Sequence, residues 1–378
     1  MKQQSKWALA LLAAVSFQTV RAEWYDDGKI KGDLRYRFEN IKQEGAASRN
    51  RDRVRARIGY YPRINSDLDV GIALGTDEAV NGLGDPISNN QTLGAEGSKK
   101  GIFVDLAYFD WHPSQLKGLD LIGGKMKNPL ITVNDYLWDN DYTPEGLALK
   151  YKVGDEFQFL ANGTYQWIQE RAADDDTKMY AGQVALNFQP NADSHIMVGA
   201  TYQGFQKMQG FGVQDWQGAN KNYGNTTTKK IAGTTTAPVT NLFYATEFKV
   251  LEGFVEAGTA IAGQPVTVFG AYAKNSDPSA DNKAYTAGLK IGKASDPNTF
   301  ELGYDYRYLE KDAFPGFLVD SDSFGGGTDG KGHKLSFTYQ ILKNWQAKIS
   351  YFLDKQKIAS GETENDYKRL QIDLVAKF

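Results

Sequence analysis

"RLQIDLVAKF", residues 369–378, carries the pattern that decides the fold. Leu370, Ile372, Leu374, Ala376 and Phe378 alternate with Gln371, Asp373, Val375 and Lys377. A period of two is the spacing of a strand with one apolar and one mostly polar face. An ordinary edge strand of a soluble sheet carries the same alternation, so the rest of the chain has to choose between the two.

The pattern recurs. Leu335, Phe337, Tyr339 and Ile341 share a face, as do Trp345, Ala347, Ile349, Tyr351 and Leu353. Phe300, Leu302, Tyr304, Tyr306 and Tyr308 stand against Glu301, Asp305 and Arg307, and Tyr285, Ala287, Leu289 and Ile291 form another set. Near the front, Leu34, Tyr36 and Phe38 alternate with Arg35 and Arg37, and Val54, Ala56, Ile58 and Tyr60 with Arg53, Arg55 and Arg57. Further runs fall near 67–76, 101–111, 118–126, 145–152, 156–169, 178–189, 194–206, 240–250 and 264–274. Residues 251–263, "LEGFVEAGTAIAG", read either as the extension of a neighbouring strand or as a loop. The spacers alternate as well. Tight ones (62–66, 113–118, 153–156, 190–193, 293–298, 342–344) are interleaved with longer ones (41–50, 77–100, 127–144, 207–239, 275–283, 311–332, 355–365). Short turns at one end and long loops at the other mark an up-and-down membrane barrel.

The expected fold is therefore all-β: one closed antiparallel transmembrane barrel of about sixteen strands, with short periplasmic turns, long extracellular loops and both termini in the periplasm. A sheet in lipid must satisfy every backbone donor and acceptor internally, so it has to close on itself. "LQIDLVAKF" is then the closing edge. A mean hydropathy of −0.50 does not oppose this, because only alternate residues of a barrel strand are apolar.

"MKQQSKWALALLAAVSFQTVRA" has Lys2 and Lys6, an apolar run from Trp7 to Phe17 and a small-residue site at Val20-Arg21-Ala22. That is the layout of a cleaved secretory signal, and the run is shorter than the roughly 20 apolar residues of a spanning helix. Residues 1–22 are expected to be removed, leaving 23–378 as the barrel domain. Loss of Lys2, Lys6 and Arg21 takes the formal net charge from −3 to about −6, which does not suit a nucleic-acid binder. The absence of cysteine excludes thiolate metal sites, cysteine nucleophiles and disulfides.

Several blocks are more specific than alternation. "RDRVRARIGYYPRINSDLDVGIALGTDE" (51–78), "DPISNNQTLG" (85–94), "GGKMKNPL" (123–130) and "LWDNDYTPEGLALKY" (137–151) resemble the putative-porin family of Gram-negative outer membranes. The resemblance is strongest over 30–152 and continues more loosely through "PVTVFGAYAKN" (265–275) to the end of the chain. It implies a pore-forming barrel in the outer membrane, passing small hydrophilic solutes and ions by passive diffusion. It does not imply a particular solute. Likeness to general porins of this size implies a homotrimer, and the terminal Phe378 resembles the signal by which the barrel-assembly machinery recognises its substrates.

On such a barrel the alternate, polar positions face water. An arginine at the lipid midplane costs about 2–4 kcal/mol, so parity sends Arg35, Arg37, Arg53, Arg55 and Arg57 to the lumen, with Arg51 at the rim. This basic wall either sets a one-sided field across the pore or is paired with carboxylates such as Glu39, Asp69 and Asp105. The connection 127–144 follows the fifth strand, where general porins fold a loop inward. It contains Asp135, Asp139 and Asp141, with Glu145 beyond, and would form an acidic constriction facing the arginines. The alternative is an outward loop packed by its own aromatics.

Signals for catalysis are poor. His112, His195 and His333 are far apart and fit no HExxH spacing, and no G-x-S-x-G occurs. "GGGTDGKG" (325–332) lacks the Ser or Thr that ends a phosphate loop. "DSDSFGGGTDG" (320–330) and "ADDD" (173–176) offer at most weak calcium ligation. The expectation is a channel rather than an enzyme, with no cofactor and no metal. Two other readings are a substrate-specific outer-membrane channel and, less favoured, a barrel-type hydrolase.

Overall fold

The computed structural model describes residues 28–78, 82–213, 216, 220–234 and 237–378; the signal-peptide reading of residues 1–22 lies outside these. Among the described residues, sixteen antiparallel strands close one barrel. In chain order they are β1 (Lys29–Gln43), β2 (Arg49–Tyr61), β3 (Leu68–Asp77), β4 (Gly101–Trp111), β5 (Leu119–Lys125), β6 (Glu145–Val153), β7 (Phe157–Gln169) and β8 (Thr177–Asn191). They continue with β9 (Ser194–Gln206), β10 (Lys249–Ile261), β11 (Gln264–Asn275), β12 (Lys283–Gly292), β13 (Phe300–Leu309), β14 (Gly330–Leu342), β15 (Trp345–Gln356) and β16 (Asn365–Lys377). Each pairs with the next, and β16 pairs with β1 from Asp33↔Lys377 to Gln43↔Tyr367.

The alternation takes the inverted sense of a membrane barrel. Leu34 is 51% exposed while its neighbour Arg35 is 9% exposed. Ile58, Ile72, Val198, Leu251, Leu335 and Ile372 are likewise exposed, while Gln183, Gln203, Gln371 and Asp373 are buried. Apolar surface in such a band is stable only against hydrocarbon. Aromatics sit outward at both ends: Trp111, Phe157, Phe300 and Trp345 towards the short turns, and Trp167, Tyr180, Tyr202, Tyr272 and Tyr285 towards the long loops.

Closure is completed at Phe378. Its N–H donates to Gly32 O at 3.1 Å, and Gly32 N–H donates to Phe378 O at 2.9 Å. The ring lies on Gly32, where a Cβ would come within 2.5 Å of the ring. Phe378→Ala removes that cover from the seam and should lower the yield of heat-modifiable barrel. A normal yield on unheated gels would make the ring incidental.

The strand order corrects one sequence expectation. Residues 240–248 do not span. Residues Ala237–Tyr244 pair with Thr227–Thr234 in a separate two-stranded hairpin within the long connection 207–248. The unsettled stretch 251–263 supplies most of β10 instead. A hairpin in water and a strand in lipid share the period of two, so alternation alone could not separate them. β10 turns into β11 through Ala262 (φ 51°) and Gly263 (φ 76°), both left-handed as a two-residue hairpin turn of type I′ requires.

Candidate constriction and its ion pairs

Among the described residues, three long-end connections carry the polar contacts of the narrowing: L2 between β3 and β4, L3 (126–144) between β5 and β6, and L7 (310–329) between β13 and β14. L3 folds into the lumen. Its path is set locally by Asx turns, in which Asn128, Asn134 and Asp139 accept from the backbone N–H of Leu130, Tyr136 and Asp141. These turns present Leu130, Val133, Tyr136, Leu137, Trp138 and Tyr142 to one side, all buried. That side meets the inner wall of β7–β12, which has few charges. Tyr136 Oη donates to Glu252 at 2.7 Å, Trp138 Nε1 to Gln203 at 3.0 Å, and Ile131 N–H to Gln183 at 2.8 Å. Burying each large side chain contributes about 1.5–3 kcal/mol, and the aromatic hydroxyl and indole N–H find acceptors on the wall.

L7 folds inward behind L3. Phe314 packs edge-on against Trp138 with ring centroids 5.1 Å apart. Asp139 N–H donates to Leu318 O at 2.9 Å, and Ser321 N–H to Asp139 Oδ2 at 2.9 Å. Burial, with Asp320 and Asp141 close by, pushes the Asp139 carboxyl well above its ordinary range. Asp139 is thus a loop-joining acceptor and adds little charge to the lumen.

The five predicted arginines are together on the inner face of β1 and β2, in the register Arg35↔Arg55 and Arg37↔Arg53. Carboxylates meet most of them. Asp33 bridges Arg55 and Arg57, at 2.8 Å to each. Arg37 makes a two-pronged bond to Asp373 at 2.6 and 2.9 Å and reaches Asp322 of L7 at 3.3 Å. Glu39 gathers Arg51 at 2.5 Å and Arg369 at 2.7 Å. Arg53 lies 3.9 Å from both Glu39 and Glu78. Arg35 has no carboxylate partner among the described residues; its Nη2 donates to Asn90 Oδ1 of L2 at 2.5 Å. Of the carboxylates named beforehand as partners, Glu39 takes that role. Asp69 instead pairs with Arg63, and Asp105 accepts from Asn89 at 3.5 Å.

The acidic loop meets this wall only through Asp141, 3.4 Å from Arg55 and 3.1 Å from Arg57. Asp135 faces another part of the barrel and binds Arg307 of β13 and Lys334 of β14. Burial raises its carboxyl, but Arg307 and Lys334 outweigh that and hold it below the ordinary range. Glu145 stands 62% exposed at the start of β6, beside Lys125 at 3.2 Å. The four acids expected to face the arginines therefore divide: one does, one serves the β13–β14 wall, one joins loops, and one is at the rim.

Sequence reasoning missed the extension of the basic wall through Arg307, Lys334, Lys348 and Arg369. Parity could have found them, since each lies between outward-facing residues of its strand. It also missed L7, whose Asp320 and Asp322 had been read as weak calcium ligands. Asp320 binds Arg307 at 2.6 Å, and Asp322 binds Arg369 at 2.8 Å. Burial raises the Asp322 carboxyl, yet Arg369 and Arg37 hold it well below its ordinary range. These acids anchor L7 to the wall. Among the described residues no three carboxylates or histidines are grouped to hold a metal ion.

A closed sixteen-stranded barrel, apolar outside, charged inside and narrowed by inward-folded loops, defines an outer-membrane porin. A family model described as putative porin matches residues 39–243 and 239–378, so the chain belongs to that family. Among solved structures, a high-pH structure of Pseudomonas putida OprB aligns with a TM-score of 0.58 at 9% identity, covering 96% of each chain. Salmonella typhi OmpF in complex with daunomycin aligns at 0.54 and 12% identity, over 93% of this chain and 98% of that one. The trimer form of in-vitro folded Vibrio cholerae OmpT, an outer membrane protein, aligns at 0.51 and 12%, over 93% and 100%. At these identities the likeness is one of fold. No curated protein matches the chain.

Proposed function

We propose that this porin is a passive conduit for small hydrophilic solutes and ions, preferring small anions, and that it performs no catalytic step. One observation carries the preference. Asp33, Glu39, Asp135, Asp141, Asp305, Asp322 and Asp373 are all held in ion pairs with lumen cations. Arg35 and Lys348, on the same inner surface, form no ion pair among the described residues. Lys348 belongs to β15, where its register partner is Asp373 of β16, itself the partner of Arg37. Paired charges largely cancel, so the residual field beside Arg35 and Lys348 is positive, with Asp105, unpaired among the described residues, standing against it beyond β2, and a low-dielectric wall focuses it. Guanidinium forks favour carboxylate and phosphate oxygens.

Reversal potential across a planar bilayer under a low-salt potassium chloride gradient tests this reading. Anion preference is expected, shrinking as salt shortens the screening length from about 10 Å at 0.1 M to 3 Å at 1 M. A cation preference would overturn it. The accompanying readings are export with loss of residues 1–22, insertion by the barrel-assembly machinery and a homotrimer. The first is checked by an N-terminal sequence starting at Glu23, and the last by a trimer band on unheated gels.

A further inference from the structure

β5 is short. Its pairing with β4 runs only over Ala107–Trp111, and at Lys125 the chain leaves the wall to become L3. Above that point the wall between β4 and β6 is open, and a cavity of about 480 Å³ fills the gap between L2, L3 and β3–β4. Its lining runs from lumen-facing Asp105 to lipid-side Val104 and Trp167.

The polar lining consists mostly of acceptors. Asp141 is tied to Arg55 and Arg57, and Glu145 to Lys125. Asp77, Asp85 and Asp105 enter no ion pair among the described residues. Two acceptors in the lining have no hydrogen-bond donor among the described residues: Asp77 Oδ1 and Asn89 Oδ1, on residues only 4% and 8% exposed. A buried acceptor without a donor is costly, so a group that brings donors suits the site. A neutral polyol would bring donors but leave the carboxylate charge uncompensated. A bare metal ion needs three or more ligands converging on one point, and the carboxylates here do not converge. Phe103, Tyr142 and Phe317 add apolar and aromatic surface. Such faces attract cations and cover apolar bodies.

We propose that this side cavity binds an organic ammonium ion carrying an apolar or aromatic body, with Asp85 and Asp105 supplying the charge and the Asp77 and Asn89 oxygens further polar contacts. The site lies beside the conduction path and does not depend on the anion preference of the lumen.

Isothermal titration of the purified, folded barrel with 2-phenylethylammonium, 2-phenylethanol and phenylacetate separates charge from shape. The ammonium should bind at least about tenfold more tightly than either isostere, equivalent to roughly 1.4 kcal/mol. Asp85→Asn and Asp105→Asn, each with normal heat-modifiable mobility and conductance, should each weaken the ammonium while leaving the alcohol unchanged. Equal binding of ammonium and alcohol by the unaltered protein would overturn the proposal, as would no ammonium binding. Full-strength ammonium binding by the Asp85→Asn/Asp105→Asn double variant would do the same. Bilayer conductance of the same preparation reports on the channel reading separately, so normal conductance without ammonium binding removes only this site.

Discussion

Arg307→Met is expected to loosen both inward loops at once. Arg307 is 3% exposed and binds Asp135 of L3, Asp320 of L7 and Asp305 of its own strand. Removing the cation leaves three buried carboxylates facing one another with only Lys334 in reach of Asp135. Breaking a buried ion pair by deleting one partner typically costs about 3–5 kcal/mol, because the remaining charge stays desolvated. The barrel itself rests on its closed ladder and should persist. The loops should not hold: single-channel records are expected to show larger, fluctuating conductance, and limited proteolysis should cut within 126–144 or 310–329. Adding Asp135→Asn and Asp320→Asn to Arg307→Met should quieten the channel, since the repulsion is then gone. Quiet, unchanged currents in Arg307→Met alone would show that apolar packing around Trp138 and Phe314 holds the loops unaided.

Arg35→Gln combined with Lys348→Gln should move the reversal potential towards cations. Among the described residues these two cations have no carboxylate partner, so their removal uncovers no buried acid. The double variant should fold as the unaltered protein does. By contrast, neutralising Arg55 strips one of the two cations from Asp33 and Asp141, mixing a change of field with a local rearrangement. At low salt the Arg35/Lys348 double variant should show the larger part of any selectivity change, and in 1 M salt the difference should nearly vanish. An unchanged low-salt reversal potential would place both side chains outside the conduction path.

The porin fold was legible because its evidence is local. Alternation in "RLQIDLVAKF" and "RDRVRARIGY" names the lipid face residue by residue, and the cost of an arginine in hydrocarbon then places Arg35, Arg37, Arg53, Arg55 and Arg57 inside. The same rule reaches Arg307 and Arg369. It failed at 240–250, where a hairpin outside the wall has the same alternation as a strand within it.

The sequence by itself thus determined the closed barrel, its sixteen strands to within one misplaced segment, and the inward direction of its charged side chains. Side-chain parity and the penalty for charge in lipid act over neighbouring residues. Only the tertiary structure decided which loops enter the lumen and which acid meets which base. Loops have no period to read, and the partners are far apart in the chain: Arg37 with Asp373, Arg307 with Asp135, Arg369 with Glu39. An acidic loop is drawn to whichever buried cation its own packing brings within reach. In L3, the apolar face from Leu130 to Tyr142 settles against β7–β12 and thereby aims Asp135 at Arg307, turns Asp139 towards L7, and leaves Asp141 alone to face the arginines of β1 and β2.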